Sequence, residues 1–154
     1  MDWELILKCI NYNRKVQFHL WGPVRCNNIP KNPNIIFHGV VEHERIYDEI
    51  KDTDCLIMPF ILNDIIYAVD PVKLYEYISF GKCIISIKYP EVERFIDFVW
   101  EYESDIEFIE LVNRLTTGEL QPKYSEKQQI DFINNNTWES RVSEIISKKP
   151  LNIK

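Results

Sequence analysis

The sequence predicts an α/β fold, a Rossmann-like doubly wound parallel sheet of about five strands with helices on both faces. Short apolar runs bounded by Gly, Pro or Asn alternate along the chain with segments of helical periodicity, and this alternation is typical of βαβ units. The run CLIMPF (55–60) has no polar face, as expected for a strand that helices cover on both sides. With 154 residues and 45% hydrophobic content, the chain is predicted to form one domain over residues 1–154.

Each element has its own local signal. The expected strands are runs rich in β-branched and aromatic residues: VQFHLWGP (16–23), NIIFHGVV (34–41), CLIMPF (55–60), CIISIKYP (83–90) and FVWEY (98–102). The expected helices are amphipathic segments: WELILKCI (3–10), HERIYDEIKDTD (43–54), DPVKLYEYISFGK (70–82), PEVERFIDF (90–98), SDIEFIELVNRLTTG (104–118), SEKQQIDFINNN (125–136) and TWESRVSEIISKK (137–149), the last stopping before Pro150. The Asn- and Pro-rich segment 25–34 predicts a loop. Ser104 with Glu107 three residues later predicts an N-cap and a capping box.

The composition argues against several classes of function. With 18 Lys+Arg against 24 Asp+Glu and a net charge of −6, the chain has no basic surface for a nucleic-acid partner. The four cysteines are widely spaced, with no histidine at metal-ligand spacing, which predicts reduced thiols and neither a disulfide framework nor a metal site. The first residues carry acids before a short apolar stretch, so neither a signal peptide nor a membrane span is expected. The sequence therefore predicts a cytoplasmic protein.

Three places are candidates for a binding site, because ligands of open α/β sheets lie beyond the carboxyl ends of the strands. Two are the turns at Gly22 and Gly39, and the third is the loop 60–70 before the helix that follows it. In that helix we expect Asp70 as the N-cap and Pro71 as the first helical residue.

This start would leave the amides of Val72 and Lys73 free for an anion, with the charge of Lys73 beside them and Glu76 three residues later on the same face. Such a pattern suits a ligand that carries both phosphates and hydroxyls. The alternative is a capped helix whose Lys73 and Glu76 form a solvated ion pair of about 0.2–0.5 kcal/mol.

Taken in order, these motifs resemble a known family. NIIFHGVVEHERIYDEIKDTDCLIMPF followed by DPVKLYEYISFGKCIIS resembles the C-terminal, donor-binding domain of group-1 glycosyltransferases of the GT-B fold. The resemblance runs from about Val16 to Arg141 and includes a strand that ends in Gly-Pro, an F-x-G-x-V turn, a P-x-K-L-x-E-Y helix, G-K-x-I-I-S and a late Trp-x-x-Arg.

The resemblance implies roles for individual residues. Glu76, five positions before Gly81, would hold the ribose hydroxyls of a nucleotide sugar, and Lys73 would offset diphosphate charge. The turn at Gly39, with Val40 beside it, would contact the base. The family's usual second glutamate, eight positions before the first, is Ala68 here; Asp70 is the nearest acid and could replace it only in a loop shorter by two residues.

The implied reaction is transfer of a sugar from a nucleoside diphosphate to a saccharide or lipid-linked acceptor, without metal or cofactor. The family's first strand, its basic pair and the acceptor-binding N-terminal domain are expected upstream of Trp3 or on a separate subunit, so the chain alone is predicted to be inactive, and no residue is assigned as catalytic. The alternative is a non-catalytic Rossmann-like interaction module or an inactive partner subunit of a split glycosyltransferase. Homo-oligomer formation and peripheral membrane association through the missing domain stay open.

Overall fold

The computed structural model describes residues 1–24 and 29–148, which form a mixed α/β structure. The strands are β1 (Phe18–Trp21), β2 (Ile35–Gly39), β3 (Cys55–Met58), β4 (Cys83–Ile87) and β5 (Trp100–Tyr102). The helices are α1 (Trp3–Tyr12), α2 (Ile46–Ile50), α3 (Asp64–Tyr67), α4 (Val72–Ser79), α5 (Pro90–Glu93), α6 (Asp105–Thr116), α7 (Glu126–Asn135) and α8 (Trp138–Lys148), with a 3₁₀ turn at His43–Arg45 before α2. Two segments lie outside the described residues: residues 25–28 of the predicted loop, which include Cys26, and residues 149–154, which include Pro150.

The strands form two separate parallel sheets. β1 pairs with β2, with Phe18 opposite Ile35, and the register shifts by one residue between Leu20 and Trp21. The second sheet has the order β3-β4-β5, with Cys55 opposite Cys83. The five predicted strands are therefore present, but the single five-stranded sheet is not, because no strand within residues 1–24 and 29–148 joins β1 to β3.

The centre of the core is β4. All of its residues are buried, and Ile84 and Ile85 have no exposed surface, so side chains pack on both faces of this strand. α1 packs on α6, and α4 packs on α7. Since burial of apolar side chains is the main favourable term in folding, β4 and these helices hold the fold together.

Local capping fixes where most helices begin. The side chain of Ser104 accepts a hydrogen bond from the Glu107 N–H, at 3.4 Å, which confirms the predicted N-cap. The Glu107 carboxylate, however, accepts from the N–H of Glu103, at 2.6 Å, and not from that of Ser104 as a standard capping box requires. A complete capping box is present at Ser125 with Gln128.

Three predicted elements differ in extent. α3, capped by Asn63, lies within the segment that was expected to be a loop. The helix predicted over 43–54 begins as a 3₁₀ turn and ends as α2, and the one predicted over 90–98 is α-helical only at Pro90–Glu93. Within the described part of the chain, none of the helices combines the length and the apolar composition needed to cross a bilayer.

Truncation of the β4 core tests this packing. We expect Ile85→Ala, at a residue without exposed surface, to lower the free energy of unfolding by about 2–5 kcal/mol, because it removes buried methyl groups and leaves a cavity. Urea denaturation followed by circular dichroism measures the change. Ile106→Ala, at a residue that is 77% exposed, is the matched control and should change stability by less than about 0.5 kcal/mol. Equal effects of the two variants would contradict the assignment of β4 as the core strand.

Candidate functional site

Glu76 is a half-buried carboxylate near the carboxyl ends of the strands. It lies on α4, which follows β3, and its side chain is only 23% exposed. One carboxylate oxygen, Oε2, accepts a hydrogen bond from Nζ of Lys73 at 2.8 Å, and Oε1 lies 3.5 Å from Nδ1 of His43. The hydrogen bond from Lys73 therefore orients the carboxylate, and the His43 ring lies beside its second oxygen.

The position of Glu76 is set by packing at both ends of α4. Leu74 and Ile78, four residues apart, are completely buried and fix one helical face against the core. At the C-terminal end, the side chain of Gln129 on α7 donates to the carbonyls of Ile78 and Ser79, at 2.9 and 3.0 Å. Gly81 follows with a φ of 69°, and a Cβ there would meet Gln129 at 3.1 Å, so this helix end accepts only glycine without rearrangement.

A stack of aromatic rings lies at the ends of the other two strands. The rings of Trp21 and His38 are 4.5 Å apart and nearly parallel, at 7°, and Nδ1 of His19 lies 2.8 Å from Nε2 of His38, within hydrogen-bonding distance. Partial desolvation of the largely exposed His19 ring, together with the nearby His38, lowers the pKa of His19 from its ordinary value near 6.5. His19 is therefore neutral at pH 7 and can share one proton with His38 in this bond.

The two glycine turns lie side by side. The N–H of Gly22 donates to the carbonyl of Gly39 at 2.7 Å, and both residues have positive φ, 127° and 76°, a conformation that strongly favours glycine. Val40, directly after the turn, is exposed. The turn at Gly39 is thus a tight strand exit, and the contact of its backbone with a base stays a prediction.

The predicted role of Asp70 as a helix cap is wrong. The N-cap of α4 is Pro71, without a side-chain hydrogen bond, and the Asp70 carboxylate instead pairs with the guanidinium of Arg94. The amide of Val72 is not free for an anion either, because it donates to the carbonyl of Asp70 at 2.8 Å. In both cases another group competes with the predicted interaction. Arg94 pairs with the Asp70 carboxylate, and the Asp70 carbonyl accepts the hydrogen bond of the Val72 amide.

One cavity, of about 650 Å³, connects most of these side chains. Trp21, His38, Lys73 and Glu76 all line it. Of the other predicted site residues, Gly22, Gly39, Val40, Asp70 and Val72 are not part of its wall. The structure therefore brings together a cation, a carboxylate and an aromatic surface, and it leaves the glycine turns beside them rather than in the cavity.

Sequence reasoning missed three of the residues near this cavity, His19, Trp21 and His43. His19 and Trp21 were assigned only to a strand, although their spacing of two places them on one face of it. His43 approaches Glu76 from the 3₁₀ turn before α2, 33 residues earlier, and no local signal marks such a contact. Within residues 1–24 and 29–148, no group of three or more His, Cys, Asp or Glu side chains is placed to bind a metal ion.

Comparisons of the sequence with protein families and with curated proteins identify no relative of the chain. No protein-family model matches the chain, and no curated protein shows significant sequence similarity to it.

The pKa of His19 provides a test of the aromatic stack. We expect a value below 6.5 in an NMR titration of the imidazole protons, because partial desolvation and His38 both disfavour its charged form. A His whose pKa is lowered by folding stabilises the native state fully above pH 6.5, and this contribution is lost as the pH falls through the folded-state value. His38→Phe should raise the pKa of His19 only in part, since desolvation is the larger cause. A pKa at or above 6.5 in the unmodified protein would show that His19 is not held in the stack.

Proposed function

We propose that the chain is the donor-binding domain of a glycosyltransferase, a Rossmann-like domain that binds a nucleoside diphosphate sugar for transfer to a saccharide or lipid-linked acceptor. The observation that carries the proposal is the fixed carboxylate of Glu76, 2.8 Å from Lys73 at the wall of a cavity beyond the strand ends. The motif order that resembles group-1 glycosyltransferases supports the same assignment. In this interpretation Glu76 binds ribose and Lys73 binds phosphate.

The geometry suits the two halves of such a ligand. A carboxylate accepts hydrogen bonds from two neighbouring hydroxyls, and such charge-assisted bonds are stronger than neutral ones. The Nζ of Lys73, with its side chain 58% exposed, is accessible to a phosphate and would offset charge on the departing diphosphate. The rings of Trp21 and His38 add an aromatic surface on the same cavity, against which a base could stack.

The location of the reaction follows from the thiols. Cys9, Cys55 and Cys83 are all free in the described residues, and unpaired cysteines are typical of reducing compartments. We therefore propose that the protein acts in the cytoplasm, with no metal or cofactor other than the donor itself.

Nucleotide titration tests the site. We expect uridine or guanosine diphosphate to bind with an affinity that falls about tenfold or more in Glu76→Gln, because charged hydrogen bonds contribute about 1.5–3 kcal/mol. Isothermal titration calorimetry measures the dissociation constant, and NMR shifts of Lys73 and Glu76 locate the ligand. Glu110→Gln, on the exposed surface of α6, is the control and should bind as the unmodified protein does. Binding that is unchanged in Glu76→Gln would remove Glu76 from the site.

A second candidate function is a non-catalytic interaction module or a partner subunit of a split glycosyltransferase. Two observations favour it: Ala68 stands where the family carries its second glutamate, and the nearest acid, Asp70, is paired with Arg94. The same segment exposes apolar side chains, among them Ile65 at 74% and Val72 at 71%. An acceptor-binding domain or subunit could cover them.

The two candidates differ in nucleotide binding, whereas neither is expected to transfer sugar by itself. We expect the purified chain to show no sugar transfer from uridine diphosphate glucose to maltose or water, because in this proposal the acceptor-binding part belongs to another domain or subunit. A coupled assay for released uridine diphosphate measures this. Sustained release above the rate of a heat-denatured sample would show that the chain is an enzyme by itself and would contradict the expectation.

A further inference from the structure

The cavity extends far beyond Glu76, along the inner edges of both sheets. Its walls include the β1 side from Val16 to Trp21 and the β3 side from Asp52 to Ile57. Within the described residues, β1 pairs only with β2, and β3 pairs only with β4. Each inner edge thus presents a row of backbone N–H and C=O groups to the same gap without a strand partner.

Both edges run in the same direction. At the start of α1, the N–H of Asp2 donates to the carbonyl of Pro59, just after β3, at 2.7 Å, and the ring of Trp3 lies 6.1 Å from that of Phe37 in β2. The carboxyl ends of β2 and β3 therefore lie at one end of α1. This placement indicates that β1, which is parallel to β2, points the same way as β3.

The cavity as a whole, including its part beside Trp21, His38 and Glu76, has room for one strand. A strand of four residues is about 13 Å long and, with a spacing of about 4.8 Å and a sheet layer about 10 Å thick, fills roughly 600 Å³. The cavity measures about 650 Å³. Apolar side chains from two sets of helices line the cavity. One set is Ile6 on α1 with Val112 and Leu115 on α6. The other is Ile50 on α2, Tyr77 on α4 and Phe80, which directly follows α4. An occupant with apolar side chains alternating above and below its backbone matches this lining.

We propose that the gap is a docking site for an extended apolar strand of a partner polypeptide, four or five residues long, which pairs in parallel with β1 and β3 at once. Strand addition of this kind gains main-chain hydrogen bonds along two edges and burial of side chains on both faces. A small ligand cannot pair with both rows of backbone groups. A second copy of the chain is a poorer occupant, because every strand in its described residues is already paired within its own sheet.

A synthetic strand tests the proposal. The probe is the peptide Lys-Lys-Val-Ile-Val-Ile-Val-Lys-Lys, whose basic ends keep it soluble and suit a protein of net charge −6. We expect saturable binding to the full chain, a higher melting temperature, and slower amide hydrogen exchange in β1 and β3. A spin label on the peptide N-terminus should broaden the NMR signals of Val16 and Thr53, at the amino ends of the edges, more than those of Trp21 and Met58.

Matched controls distinguish strand pairing from non-specific binding of the peptide. The peptide with Pro in place of its central Val lacks one N–H and should bind at least about tenfold more weakly. Leu115→Glu places a charge in the cavity wall and should weaken binding of the original peptide by a similar factor, whereas Ile106→Glu, on the exposed side of the same helix, should not. Circular dichroism checks that both variants are folded.

Several results would overturn the proposal. One is the absence of saturable binding of the peptide. The others are binding of the Pro-containing peptide as tight as that of the original peptide, and the strongest broadening at Trp21 and Met58. Slow exchange of β1 and β3 amides that depends on protein concentration without peptide, with dimers in sedimentation, would identify a second copy as the occupant. Loss of nucleotide binding, by contrast, would concern only the proposed function, because none of these measurements uses a nucleotide.

Discussion

The complete burial of β4 is the constraint on which the rest of the structure depends. A strand without an exposed residue can form only if helices cover both of its faces and neighbouring strands satisfy its backbone on both edges. β3 and β5 provide the edges, and the pairs α1 with α6 and α4 with α7 pack around them. The helix that carries Lys73 and Glu76 is therefore positioned by the core, through the buried side chains of Leu74 and Ile78.

The sequence predicts elements whose signals are local. The five apolar runs become the five strands, and Ser104 and Ser125 start the helices that follow them. These features depend on hydrogen bonds and side-chain patterns within four residues. The division into two sheets could not be predicted in this way, because it depends on which strands are neighbours in the sheet. The pairing of strands that are distant in sequence produces no pattern within a short segment.

The candidate site shows the same division. The pairing of Lys73 with Glu76 was predictable, because residues three apart on a helix are neighbours. The failure at Asp70 was not, because the guanidinium that captures its carboxylate belongs to a residue 24 positions later. An exposed pair such as Asp70 with Arg94 adds little stability, but it removes the carboxylate from the helix start. The contact of His43 with Glu76 is likewise a product of the tertiary structure.

The gap between the sheets and the proposed nucleotide site share a boundary. Trp21, at the end of β1, and Glu76, on α4, both line the cavity. A strand parallel to β1 and β3 would end between them, and the last backbone groups of a parallel strand point to the same side as the ligand sites of open α/β sheets. A partner strand would thus narrow the cavity that Lys73 and Glu76 also line. The two proposals therefore concern one cavity. The unpaired edges of β1 and β3 form the part of its wall that a diphosphate bound to Lys73 would face.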